Sequence, residues 1–217
     1  MKPKTQIIET QSLGQCWLQV SQKILEQGHL ARYDGQPIKE IALLAMVIEA
    51  PDPNDEIIQR FGDATWLEWM HENFFTQKVV AELGHAPSYA IRLFNYANQG
   101  LDQLQWIIEK LKDNPESRSA TLTTFMPLTD TSYIPCISLL DFWVPAQKLE
   151  LVVYAHSLDF GKKAYGNLVE LAHLQHRVAN QLNRSVGNLI IYAKSAHIYD
   201  QEWEYMQQLL SSVEMEG

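Results

Sequence analysis

Apolar residues return at three- and four-residue steps in Leu13, Trp17, Val20 and Ile24. That spacing is one face of an α-helix and predicts a helix over residues 12–27, with Ser12 as its N-cap and Gly28 as its stop. Residues 41–49 (IALLAMVIE) form a nearly continuous apolar run closed by Pro51, Asp52 and Pro53. The run reads as a buried strand followed by a loop, with a helix as the other reading. A second helix is expected over 64–75. A third, over 101–111, repeats Leu101, Leu104, Ile107 or Ile108, and Leu111 before Asn114 and Pro115 end it.

The period then shifts from helical to alternating. Residues 120–125 (ATLTTF), 136–144 (CISLLDFWV) and 149–155 (LELVVYA) are rich in β-branched and aromatic side chains. The last two are joined by a Pro-Ala-Gln-Lys turn and are expected to be antiparallel neighbours. Residues 168–182 return to helical spacing through Leu171, Leu174, Val178 and Leu182. Residues 189–193 (LIIYA) supply another strand, and a final helix is expected near 202–210. This order belongs to the α+β class, a mixed or antiparallel sheet packed with helices. With no internal repeat, no low-complexity segment and no polar linker, residues 1–217 are expected to form one domain.

Composition narrows the function. The chain has 217 residues, of which 46% are hydrophobic and 20% charged, values of an ordinary globular domain. No stretch approaches the roughly 20 apolar residues of a membrane span, and residues 1–12 mix charge and polarity where a signal peptide would be apolar. A cytoplasmic protein with no membrane partner is the expectation. The formal net charge of −9 argues against sequence-independent binding of a nucleic acid polymer, which needs a basic surface. It leaves room for a small anion held by a few local cations.

Few side chains invite chemistry individually. Cys16 and Cys136 stand 120 positions apart and suggest no disulfide framework. Cys16 lies beside Trp17 on a helix and reads as packing. Cys136 follows Pro135 at the start of a strand, after a polar loop, and is either a nucleophile or a small buried hydrophobe. His156, Ser157 and Asp159 close a strand, where polar groups can converge on a ligand. His173 and His176 share a helix face at i, i+3, but no acidic residue is read as completing a zinc motif. That face is expected to be solvated and no metal is expected. Trp66 and Trp69, three apart, are core packing or a stacking platform.

Taken together, these residues carry a resemblance. Pro135-Cys136, Ser157-x-Asp159, Asn167 and Ala196-His197-Ile198-Tyr199 resemble the linked motifs of the thymidylate synthase family, and their intervals match it without gaps. Asp102-Gln103-Leu104 and Asn114-Pro115-Glu116-Ser117-Arg118 resemble two upstream motifs. Tyr89 resembles the tyrosine of a Tyr-Gly motif, and Trp66 and Trp69 the tryptophan pair of the cofactor site. The match covers about residues 64–208 and is closest to the short, archaeal-type branch.

The resemblance implies a homodimeric transferase of nucleotide biosynthesis, a methyltransferase that uses 5,10-methylenetetrahydrofolate to alter C5 of a uracil nucleotide such as dUMP. It implies Cys136, Asp159 and Asn167 as catalytic residues. Arg118, His156, Ser157, Asn167, His197 and Tyr199 would bind the pyrimidine nucleotide, and Trp66, Trp69, Tyr89 and Asp159 the folate. The chemistry suits these residue types. A pyrimidine C5 becomes nucleophilic once a thiolate has added to C6, and an asparagine amide can satisfy O4 and N3–H of uracil together. A carboxylate there would suit cytosine better.

The departures are equally specific. His156 stands where the family has arginine, Ser119 replaces the second arginine of a pair, Ile137 follows Cys136 where histidine is common, and Glu49 and Glu56 are both candidates for a catalytic glutamate. A pyrimidine hydroxymethylase of the same fold, or a catalytically idle relative that binds nucleotide or folate, are the alternative readings.

Overall fold

The computed structural model describes residues 5–33, 35–131 and 133–216. The chain opens with β1 (Gln6–Thr10), α1 (Leu13–Gln27), β2 (His29–Tyr33) and β3 (Gln36–Ile48). Two helices follow, α2 (Glu56–Phe61) and α3 (Ala64–Phe75), then a small two-stranded sheet of β4 (Val79–Val80) and β5 (Ala86–Pro87). After α4 (Tyr89–Phe94) and α5 (Gln103–Asp113) come β6 (Ala120–Thr123), β7 (Ile137–Trp143), β8 (Lys148–Ala155) and β9 (Leu158–Asp159). Helix α6 (Ala164–Leu182), strand β10 (Ser185–Tyr199) and helix α7 (Trp203–Glu216) complete the fold.

The helices begin where short polar side chains supply the missing acceptors. Ser12 Oγ accepts from the Gln15 N–H at 3.3 Å. Asp63 caps α3, Ser88 caps α4 and Asp102 caps α5 in the same way. Asp55 does more than cap α2, because one carboxylate oxygen accepts from Ile58 N–H and the other from Gly14 N–H, each at 3.0 Å. This ties the start of α2 to α1.

Eight strands make a mixed sheet in the order β1-β3-β10-β8-β7-β6, with β2 added beside β3 and β9 beside β10. The expected antiparallel pairing of β7 and β8 is present, and β10 runs parallel to both β8 and β9. Along β3, β8 and β10, alternate residues (Leu44, Met46 and Ile48; Leu149, Leu151 and Val153; Leu189, Ile191 and Ala193) turn into one core with α1 and α6. This is the period-2 pattern of a sheet with one covered face. Cys16 and Trp17 lie in that core, as expected. No helix among the described residues is long and apolar enough to cross a membrane.

Several elements depart from the sequence expectation. Strand β3 begins five residues before the apolar run, and β10 extends both ways beyond LIIYA. The extensions contain Lys39, Lys194 and Ser195, which break the hydrophobic alternation but are held in the sheet by neighbours on both sides. Helices α2 and α4 have six residues each, too few to show a period.

Candidate functional site

Cys136 sits at the entry to β7 and is fixed by the backbone on both sides. Its carbonyl accepts from the His156 N–H at 2.9 Å, and the next N–H, of Ile137, donates to the Tyr89 hydroxyl at 3.0 Å. Beside it opens a cleft of about 370 Å³, a size compatible with a small-molecule ligand. Its walls come from separate segments: Trp69 and Asn73 of α3, Tyr89, Cys136, the Ser157 to Asp159 segment, Lys163 and Asn167, and His197 and Tyr199 at the end of β10.

Most residues named from the sequence therefore meet. Cys136, Ser157, Asp159, Asn167, His197, Tyr199, Trp69 and Tyr89 all line this cleft. Trp66 lines an adjoining groove that shares Asp159, Lys163 and Tyr199 with it. The Trp66 and Trp69 rings meet edge to face at 5.7 Å. The pair is both half-buried packing and a wall, so the two readings of its spacing are compatible.

Arg118 and His156 line neither recess. Arg118 lies over the Trp143 ring at 5.3 Å and donates to the Glu116 carbonyl at 3.0 Å. His156 is half-buried, and burial together with the Lys194 charge pushes its pKa below the ordinary value. It is therefore neutral at neutral pH in the free protein and no substitute for a fixed arginine charge. Glu49 and Glu56 are exposed and outside the cleft, whereas Glu82 lies at its rim.

Lys163 is the residue that motif reading passed over. Its ammonium lies over Trp66 and Trp69 at 5.5 and 5.4 Å, and its backbone N–H donates to the Asp159 carbonyl at 3.0 Å. Burial pushes the Cys136 thiol above its ordinary pKa, while the Lys163 charge and a hydrogen bond with the Ser157 side chain pull it down. A thiol, stored beside a cation that can favour its thiolate, is the consequence. Burial likewise raises the Asp159 carboxyl to about 6 against the opposing pull of Lys163 and the Gly161 N–H, which donates at 3.1 Å. The only available signal for Lys163 was its position just before α6, four residues beyond Asp159.

Asn167 lies buried in the first turn of α6, where its Nδ2 donates one hydrogen to the Lys163 carbonyl at 3.1 Å. The second amide hydrogen and the side-chain oxygen keep a donor and acceptor pair for a ligand. His197 is 1% exposed. Its ring packs edge-on against Tyr33 and Tyr199 at 5.5 and 5.1 Å, and its Nδ1 lies 3.4 Å from Ser195 Oγ.

The two α6 histidines part company in the structure. His176 does turn away, to the Pro51 carbonyl at 2.9 Å, but His173 does not face solvent alone. Glu170 stands one turn before it, and His71 of α3 completes a group of three potential ligands. Sequence spacing within one helix could not show a member supplied by another.

Residues 39–216 match the thymidylate synthase family. Proteins provisionally named thymidylate synthase in Methanosarcina mazei and Methanococcoides burtonii are 32% and 29% identical, over 95% and 96% of both chains. A bifunctional dihydrofolate reductase-thymidylate synthase of Paramecium tetraurelia is 32% identical over 121 residues, 55% of this chain and 26% of that protein. With the family match spanning most of the chain, including the cleft residues from Trp69 to Tyr199, this chain belongs to the thymidylate synthase family.

Proposed function

We propose that this protein transfers a one-carbon unit to C5 of a uracil nucleotide through a covalent adduct at Cys136. The observation that carries the reading is convergence: Cys136, Ser157, Asp159, Asn167, His197 and Tyr199 come from four separate segments and line one cleft. Addition of the Cys136 thiolate forms an S–C6 bond and moves the C5=C6 electron pair toward O4, making C5 the nucleophile; once C5 has bonded to the one-carbon unit, loss of the C5 proton and expulsion of the Cys136 thiolate restore C5=C6. Lys163 stabilises the thiolate, and the remaining amide hydrogen of Asn167 donates to O4 while its side-chain oxygen accepts from N3–H. His197 and Tyr199 reach the sugar.

The adjoining groove fits a folate. It offers an indole face from Trp66, the Asp159 carboxylate, and the Lys162 and Lys163 ammoniums, which lie over that indole at 4.7 and 5.5 Å. These groups suit a flat, hydrogen-bonding bicyclic ring with an anionic tail. Bound methylenetetrahydrofolate supplies the one-carbon electrophile. Asp159, Lys163 and Tyr199 belong to both recesses, so they orient the two substrates toward each other.

The reading includes a homodimer. The sheet face away from α1 and α6 exposes Leu139 and Tyr154, with Tyr154 stacked on Tyr192 at 6.5 Å. Such an apolar face suits a second copy of the chain. Sedimentation should give a dimer that Tyr154→Asp weakens.

Incubation with 5-tritiated dUMP and methylenetetrahydrofolate should release tritium, and Cys136→Ser should abolish that release while leaving the fold intact. Product mass separates a methyl from a hydroxymethyl group. No release from dUMP, UMP, dCMP, CMP or the nucleosides would overturn the reading.

A further inference from the structure

Helices α3 and α6 carry a second polar group whose members do not line the cleft. The Glu170 side chain is 2% exposed, and its two oxygens lie 3.3 and 3.2 Å from His71 Nδ1. His173 stands one turn after Glu170 on the same helix face. Its ring centroid is 6.0 Å from that of His71, at an interplanar angle of 67°. One imidazole nitrogen from each histidine and one Glu170 oxygen lie within 4.8 Å of one another.

The surroundings favour a fixed geometry. Phe75 packs against both imidazoles, at 5.0 Å from His71 and 6.3 Å from His173. Gly166, one turn before Glu170, lets the helices approach closely, since a Cβ there would lie 3.0 Å from Met70 Cβ. The helices cannot separate at this level without losing that contact.

Two arguments identify the ligand as a cation. A carboxylate almost wholly removed from water costs several kcal/mol unless paired, and His71, whose side chain is 57% exposed, is a weakly compensating partner because solvent screens it. A divalent ion would offset that cost directly. The ligand atoms around tetrahedral zinc, each about 2.0–2.2 Å from the metal, are separated by about 3.3–3.5 Å. The His71 to Glu170 edge, at 3.2–3.3 Å, is close to that length, and the His173 ligand atom lies within 4.8 Å of the other two. Two imidazoles and one carboxylate suit Zn²⁺, Co²⁺ or Fe²⁺, and disfavour the all-oxygen shells of Mg²⁺ and Ca²⁺.

We propose that His71, Glu170 and His173 form a binding site for one divalent transition-metal ion, with water on the exposed side. The ion would clamp α3 to α6, the helices that present Trp69 and Asn73 and Asn167 to the cleft.

The test is titration of the full chain, dialysed against chelator, with Zn²⁺ by calorimetry and with Co²⁺ by visible absorption. One equivalent should bind, with the intense d–d bands of a low-coordinate cobalt site, and excess Mg²⁺ should not displace it. His71→Ala and His173→Ala should each weaken binding at least about tenfold, whereas Cys136→Ser should leave the affinity unchanged. His71 is half-exposed, so its variant is expected to fold, and circular dichroism checks this. Absence of saturable binding, equal affinity in the His71→Ala variant, or loss of binding only in Cys136→Ser would each overturn the proposal.

Discussion

The Tyr89 hydroxyl accepts a hydrogen bond from the Ile137 N–H at 3.0 Å, joining the first residue of α4 to the residue after Cys136. Tyr89 is also packed on Phe74, with ring centroids 4.4 Å apart, so α3, α4 and the entry to β7 form one support. A side chain expected at the folate thus holds the backbone that presents the thiol.

Tyr89→Phe should therefore leave the Ile137 N–H buried without its acceptor, costing about 1–3 kcal/mol of stability. Urea unfolding measures that loss. In tritium-release kinetics kcat should fall more than the nucleotide KM rises, because the thiol is displaced while the ligand's other contacts remain. An equal rise in KM with unchanged kcat would assign Tyr89 to binding.

Lys163 opposes the effect of burial on Cys136. Alkylation by iodoacetamide should follow a pH profile whose midpoint lies above that of an ordinary thiol, and Lys163→Met should move it higher still. The midpoint, unlike the rate, is insensitive to how easily the reagent enters. An unmoved midpoint would remove Lys163 from thiolate stabilisation.

Asp159 gives a pH dependence of defined sign. Its folded-state pKa, about 6, lies above the ordinary 3.8, so between these values the folded protein holds the proton more tightly than the unfolded chain. The stability contributed by the protonated form is present below about 4 and is lost as pH rises through 6. Asp159→Asn should be flatter across this window and more stable than the parent at pH 8 by roughly 1–3 kcal/mol. Paired denaturation curves at pH 4, 6 and 8 measure the difference.

Arg92 is 1% exposed and fully engaged. It pairs with Asp130 through two contacts of 2.7 and 3.0 Å and also donates to the Thr124 and Pro87 carbonyls at 2.8 and 3.1 Å. Arg92→Ala leaves Asp130 buried without its counter-ion and should cost about 3–5 kcal/mol. Arg92→Lys should recover little, because an ammonium cannot fill this forked set of acceptors. Thermal unfolding of both variants tests the point.

The fold was legible where local signals and tertiary demands agree. Helices α1, α3 and α5 have a clear apolar stripe and an N-cap, and β7 and β8 a turn between alternating runs. The cleft residues became legible through the spacing of motifs that are far apart in the chain. What escaped was supplied by partners with no sequence spacing: Lys163 acts on Cys136 from the segment that leads into α6, Glu82 enters from a short turn, and His71 reaches Glu170 from another helix. Arg118 and His156 illustrate the converse, since a motif position placed them near the ligand and the free fold turns them elsewhere.

Strand β10 pairs with β8 as far as Ala193 and Ala155, and with β9 from Ala196 and Leu158. Both intervals are three residues, so the second ladder resumes in the register of the first. The two residues that bridge the gap, His156 and Ser157, thus form a spacer of fixed length, in which His156 lines neither recess while Ser157 also lines the cleft. A deletion there would flip either the core-facing Ala155 or the ligand-facing Asp159 to the wrong side of the sheet, whereas a change of side chain would not. Variation among relatives should accordingly appear at this point as substitution and never as a gap.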